Sequence, residues 1–170
     1  MSDLFFFFVP FEFIDQVLKT IAETPQHCYQ LLTKRAERMA EYFAERNVPL
    51  NAWIGVTIES VSTKQRINAL KSIRCQSVKF LSCEPLLEDL GEVDLSDIDW
   101  IIVGGESGSL ARPMQPQWVR NIYAQAKAQQ VAFFFKQWGT WGSDGIKRNK
   151  CINGKLLQGK IFQDMPTINK

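Results

Sequence analysis

The 170-residue chain is 45% hydrophobic and 22% charged, which supplies one domain with a real core and argues against two. Its formal net charge of +2 gives no overall electrostatic reason to expect nucleic acid or an anionic membrane as partner. No run approaches the roughly 20 apolar residues of a membrane helix, and no basic segment precedes the N-terminal Phe cluster, so a cytoplasmic location is expected.

The chain opens on Phe5 to Phe8, four phenylalanines that are an aggregation liability unless they pack into the body of the fold. Ile14, Val17, Leu18 and Ile21 recur at helical spacing and predict a first amphipathic helix. The apolar run Cys28 to Leu32 follows, then a second helical stripe of Ala36, Met39, Ala40 and Phe43. Ala52 to Ile58 is the second apolar run, followed by a weaker stripe of Ile67, Leu70 and Ile73. Val78 to Cys83 and Trp100 to Val103 come next, separated by a polar stretch from Pro85 to Asp99 that reads as loop with at most one turn. Val119, Ile122, Tyr123 and Ala126 mark a fourth helix, with Pro116 in its first turn, and Val131 to Phe135 is the fifth run.

Short apolar runs without alternation suit strands buried on both faces, as in a parallel sheet covered by crossover helices. The expected fold is therefore α/β: a partial, incomplete TIM-type β/α barrel of about five parallel strands over residues 1–141, with an irregular or hairpin-like tail over 142–170. Cys28, Cys75, Cys83 and Cys151 show no close metal spacing and read as reduced, mostly buried thiols. The sole histidine, His27, precedes the first strand, away from the strand ends, and reads as structural; no metal site is expected.

In parallel β/α folds the chemistry sits just past the carboxyl ends of the strands. Those ends carry Thr33, Lys34 and Arg35; Thr57 and Glu59; Ser82 and Glu84; Gly104, Gly105, Glu106 and Ser107; and Lys136, Gln137 and Trp138. Glu59, Glu84 and Glu106 follow three successive strands and are the catalytic candidates, since convergent carboxylates can bind metal, share a proton or act as acid and base. The plainer alternative is that they pair with Lys34 and Lys136 across the mouth or face water. The glycines of Gly104-Gly105-Glu106-Ser107-Gly108 would either let backbone approach a ligand or serve a turn at positive φ. Trp138 and Trp141 would stack on a planar, nucleotide-like ligand, or belong to a core or lid.

The motifs Met1-Ser2-Asp3-Leu4-Phe5, Leu32-Thr33-Lys34-Arg35, Trp53-Ile54-Gly55-Val56, Ser82-Cys83-Glu84-Pro85-Leu86, Val103-Gly104-Gly105-Glu106-Ser107-Gly108 and Phe133-Phe134-Phe135-Lys136-Gln137-Trp138-Gly139 occur in that order. Together they resemble the uncharacterised phage and prophage family named after phage gene products thirty-seven and sixty-eight, from Met1 to about Trp141. The resemblance implies a radical-SAM-like barrel whose full-length members bind S-adenosylmethionine and a 4Fe–4S cluster through an N-terminal cysteine motif. This sequence has no such motif, so no cofactor is expected in this chain alone. In the family the Ser-Asp-Leu-Phe segment follows a strand; the resemblance thus implies a C-terminal portion, truncated before the cluster cysteines and inactive by itself. By their position at the strand ends, Thr57, Gly104 and Gly105 are the candidates for cofactor contact beside Glu59 and Glu106, with Glu84, Lys34, Lys136, Gln137 and Trp138 facing a small-molecule or nucleotide-like substrate.

Two further readings come from the residues themselves. One is a cluster-independent hydrolase or lyase using Glu59, Glu84 and Glu106, directly or through a divalent ion. The other is a non-catalytic module that binds a partner chain or a second copy through an open sheet edge or the Phe5 to Phe8 patch.

Overall fold

A computed structural model describes residues 3–167. All four predicted helices form: α1 (Phe11–Ala22), α2 (Ala36–Phe43), α3 (Gln65–Ser72) and α4 (Pro116–Ala128). Each turns the stripe that predicted it toward the core, with Val17, Ala40 and Tyr123 partly buried and Ile73 just past the end of α3, and Pro116 occupies the first helical turn of α4, where its missing N–H has no intrahelical partner to lose. The strands are β1 (Tyr29–Thr33), β2 (Ala52–Thr57), β3 (Lys79–Cys83), β4 (Trp100–Gly104) and β5 (Ala132–Gln137). They make one all-parallel sheet in the order β1-β2-β3-β4-β5, the arrangement of part of a β/α barrel. Sequential order with crossovers of one hand places the helices on a single face.

That outer face holds the main core, where Ile14, Leu18, Met39 and Leu70 from the helices meet Ile54, Val56, Leu81, Ile101, Val103 and Phe133. The opposite, inner face carries a separate cluster of Trp53, Val78, Phe80, Trp100 and Ile102, to which no helical residue belongs. Here the rings cover one another: Trp53 meets Trp100 edge-on at 5.8 Å and Trp100 meets Phe134 at 5.7 Å. Gly55 lies beneath the Phe80 ring, which a Cβ at that position would meet at 2.5 Å. The glycine thus makes room for the aromatic ring beside it.

The β3–β4 connection, residues 84–99, has no helix, as expected. It nevertheless buries Leu86, Leu90, Val93, Leu95 and Ile98 in the outer core. A buried loop must satisfy its peptide groups, and Gln125 of α4 and Gln129 at the end of that helix do so. Gln125 accepts from the Val93 N–H (2.7 Å) and donates to the Gly91 carbonyl (2.9 Å). Gln129 accepts from Leu95 (2.8 Å) and donates to Val93 (3.0 Å).

The tail is more ordered than its composition predicts. It contains a short helix α5 (Lys150–Asn153), and Phe162 to Asp164 run antiparallel along β5. The Phe135 N–H donates to the Phe162 carbonyl at 2.7 Å and the Asp164 N–H to the Phe133 carbonyl at 3.1 Å. So the β5 edge is covered, while the β1 edge has no neighbouring strand among the described residues. The thiol expectation also needs correcting. Cys83 is buried, its thiol pushed up to about 12 by desolvation, but Cys75 is half-buried and Cys28 and Cys151 are exposed.

At the other end of the chain, Phe5 is buried against Tyr42 and Phe43, whereas Phe7 and Phe8 remain 60% and 75% exposed. The tetraphenylalanine is therefore half anchor and half surface. His27 is exposed at the amino-terminal side of the sheet, packed edge-on to Tyr29 at 6.1 Å. No helix among the described residues is long and apolar enough to cross a membrane.

Candidate functional site

The sheet sets the carboxyl ends of its strands side by side, and the polar residues expected there are laced together by ion pairs. Glu59 follows β2, and the Thr63 hydroxyl accepts its backbone N–H at 3.1 Å, fixing where the side chain starts. Its carboxylate accepts from Lys34, just past β1, and from Arg66 of α3 at 3.4 Å. Arg66 also donates to the Thr57 carbonyl at 2.7 Å, so it clamps the end of β2 from behind. Glu84 follows β3 and pairs with Lys136 of β5 at 3.0 Å, bridging over β4. The Ser82 hydroxyl donates to the same carboxylate at 3.3 Å.

Glu106 lies two residues beyond β4. Its carboxylate accepts from Nε, Nη2 and the backbone N–H of Arg112, each at 2.8 Å. This fork holds the Glu106 carboxyl well below the ordinary range, at about 2. Arg112 in turn is pushed up, first by Glu106 and further by the charge of Glu59, which places both carboxylates in one field. The plainer sequence alternative describes the geometry: each of the three carboxylates has a cation. A general acid near neutral pH needs a raised carboxyl pKa, and Glu106 is shifted the opposite way.

Beneath the ion pairs lies a buried hydroxyl layer of Thr57 and Ser82, which are register partners. Gly104 and Gly105 complete the rim, but for a reason the sequence did not suggest. Neither has positive φ. A Cβ on Gly105 would meet the Trp138 carbonyl oxygen at 1.9 Å, and one on Gly104 would meet the Glu84 carboxylate at 2.9 Å. Packing against neighbouring backbone therefore demands Gly105 without any ligand, whereas a side chain at Gly104 would press on the movable Glu84 carboxylate.

Lys34 and Lys136 stand half in solvent at the mouth. Gln137 instead turns toward the β4 end and donates to the Gly105 carbonyl at 2.9 Å, and its buried Oε1 has no partner among the described residues. A bulge puts Gln137 opposite Gly104, so Lys136 becomes the extra residue of β5 and is free to reach Glu84. Trp138 is the clear correction: only 2% exposed, it packs on Phe135 and donates its indole N–H to the Leu156 carbonyl at 2.9 Å. It is a core residue and presents no face to a substrate. Trp141 likewise donates to the Ala111 carbonyl, at 2.6 Å.

Sequence reasoning missed Arg66 and Arg112, which sit on a helix and a loop away from any strand end. It also missed the role of Asp3. The Asp3 carboxylate accepts from the Thr33 hydroxyl at 2.8 Å and from Arg35 at 2.8 Å, closing the β1 end of the mouth. Arg35 lies over the Phe6 ring at 4.3 Å. Three successive carboxylates flanked by lysines at the outer strand ends were the available signal, but the partners from helix, loop and chain start are set by tertiary contacts.

The four thiols do not assemble into a cluster site. Cys28 and Cys75 line a cavity of about 870 Å3 at the amino-terminal end of the sheet, Cys83 is inside the outer core and Cys151 is on α5. Among the described residues no three His, Cys, Asp or Glu side chains are placed to hold a metal ion. The residues present do not fit an iron–sulfur cluster.

No curated protein and no solved structure matches the chain. A family model does match, over residues 1–166, and the chain accordingly belongs to the family described as Protein of unknown function (DUF5131).

Proposed function

We propose that the mouth of the sheet binds a small zwitterionic, nucleotide-like ligand, and that the chain is the ligand-facing part of a radical-SAM-like phage protein. S-adenosylmethionine is the ligand of that class to which the motif resemblance points. The observation that carries the reading is the set of paired charges around the strand ends: Lys34 with Glu59, Lys136 with Glu84 and Arg112 with Glu106. A ligand bearing both an ammonium and a carboxylate can exchange for such pairs without leaving a charge unmatched, which keeps the desolvation cost low. Glu59 and Glu84 would accept from its ammonium, and Lys34 and Lys136 would meet its carboxylate. Glu106, held ionised by Arg112, would act as a fixed anion facing positive charge. When bound, adenosylmethionine supplies an activated carbon on its sulfonium. The hydrolase or lyase reading is weaker where Glu106 would be the proton donor, because Arg112 holds that carboxyl ionised.

Titration calorimetry with adenosylmethionine tests the proposal. Saturable heat is expected, with Glu59→Gln and Glu106→Ala each weakening binding about tenfold or more, the scale of one charged hydrogen bond. Absence of heat, or variants that bind as the parent does, would sink it.

A second reading is favoured by the asymmetry of the sheet edges. The outward peptide groups of Gln30 and Leu32 on β1 have no partner among the described residues, and β1 lacks the proline, bulge or charge that protects edges elsewhere. A second copy of the chain pairing there predicts a concentration-dependent dimer in light scattering. Gln30→Pro should abolish it, and a strict monomer at all concentrations would dismiss it.

A further inference from the structure

Beside the mouth, the loop Ser107–Ser109 and the tail residues Thr140 and Lys147–Lys150 enclose an open depression of about 530 Å3. Its electrostatics differ from those of the mouth. There the cations Lys34, Arg66, Arg112 and Lys136 are each within ion-pair distance of a glutamate. In the depression Arg148 is engaged with Asp144 at 2.7 Å, but Lys147 and Lys150 have no carboxylate partner among the described residues. Lys147 donates only to the Ser109 carbonyl, at 2.6 Å, and retains two further N–H groups.

Charge along the chain follows the same division. Residues 142–170 carry six of the 20 basic residues and only two of the 18 acidic ones, so the near-neutral total conceals a basic tail on an acidic body.

The depression is also rich in donors and firmly built. The N–H groups and hydroxyls of Ser107 and Ser109 make no hydrogen bond among the described residues. Loop and tail are tied together by the Gly108 N–H donating to Thr140 Oγ1 (2.9 Å), the Thr140 N–H to the Glu106 carbonyl (2.9 Å), and the Trp141 indole to Ala111. Gly108 takes a φ of +128°, which turns the loop without a side chain over the depression. Two lysines without a carboxylate partner, one of them over the Trp141 ring at 5.8 Å, join free serine hydroxyls and free amides in a donor-rich surface with surplus positive charge. A tetrahedral oxyanion carrying about two negative charges matches that description, because it is acceptor-only and needs several convergent donors.

We propose that this depression is a binding site for a phosphate group, borne by a nucleotide or by a nucleic-acid strand. Lys147 and Lys150 supply the charge and Ser107 and Ser109 supply neutral donors. The site stands on its own geometry, next to the mouth but independent of what the mouth holds.

The test compares adenosine 5′-monophosphate with adenosine in heteronuclear NMR titrations of the whole chain. The monophosphate should shift the amides of Ser107 and Ser109 saturably, and adenosine should leave them unmoved. The exposed double variant Lys147→Gln/Lys150→Ala should weaken binding about tenfold or more, whereas Lys155→Ala/Lys160→Ala, with the same change in net charge, should not. A short fluorescein-labelled single-stranded oligonucleotide distinguishes the sources of phosphate. Tighter, steeply salt-dependent binding than the monophosphate assigns strand phosphates, and equal affinity assigns a free nucleotide. Equal response to adenosine, equal loss in both double variants, or no binding of either phosphorylated probe overturns the proposal. Monophosphate binding without any response to adenosylmethionine supports this site and removes only the mouth reading.

Discussion

The two faces of the sheet solve the same burial problem with different side chains. The outer face meets helices, whose ridges interlock with Ile54, Val56, Leu81, Ile101 and Val103, so branched aliphatic residues of moderate size fill the space. The inner face has no helix to meet. It covers itself with Trp53, Phe80 and Trp100, and it drops a side chain altogether at Gly55 so that the Phe80 ring can lie down. Polar groups cap this aromatic layer at the strand ends: first the hydroxyls of Thr57 and Ser82, then the ion pairs. The candidate site therefore rests on the face whose packing is the less redundant. A defect among the rings should be felt directly at Glu59, Glu84 and Lys136.

The largest expected effect is accordingly on the inner face. Phe80 is 1% exposed, and Phe80→Ala should cost about 3–5 kcal/mol in urea denaturation, the range for deleting a buried aromatic ring. Gly55→Ala attacks the same contact from the other side by adding a methyl where the ring lies. The ring has little room to move, so a loss of about 1–3 kcal/mol is expected. On the outer face of the same strand, Ile54→Val removes one methylene from an interlocked core and should cost only about 0.5–1.5 kcal/mol. If Ile54→Val proved more damaging than Phe80→Ala, the inner cluster would be mere cover and the comparison would fail.

These effects also mark where sequence was informative. The outer core was readable because each helix announced its buried stripe by spacing, and the five apolar runs announced the strands. Trp53 and Phe80 gave no sign of lying on a different face from Ile54 and Leu81, because runs buried on both sides have no alternation to read. At the mouth, the carboxylates and lysines past the strand ends were found by position alone. Arg66, Arg112 and Asp3 were not, since they reach the site from a helix, a loop and the chain's beginning through tertiary contacts. Trp138 misled for a related reason. It follows a strand that ends in Lys136 and Gln137, but a bulge and the returning tail turn it into the core under Leu156. The tail's cover over β5 depends on contacts between residues about thirty apart, which composition does not encode.

An effect no larger than that of Ile54→Val concerns the ion pairs that close the inner face, and it sharpens the comparison by pH rather than by packing. Arg112 lowers the Glu106 carboxyl from 4.5 to about 2 in the folded chain. A carboxyl whose folded value is depressed adds stability that is fully present above its unfolded value, and that stability is lost as pH falls through the folded one. Arg112 is largely exposed, so solvent screening limits the contribution to about 1 kcal/mol. The parent should therefore exceed Glu106→Gln by about that amount in urea midpoints converted to free energy at neutral pH. The gap should narrow between about pH 4.5 and pH 2 and close below, and it should shrink at high salt because the pair lies at the surface. Phe80→Ala and Ile54→Val remove no titrating group, so their losses should stay nearly constant over the same interval. A Glu106→Gln gap that ignored pH would mean that the carboxylate is held by shape and not by charge.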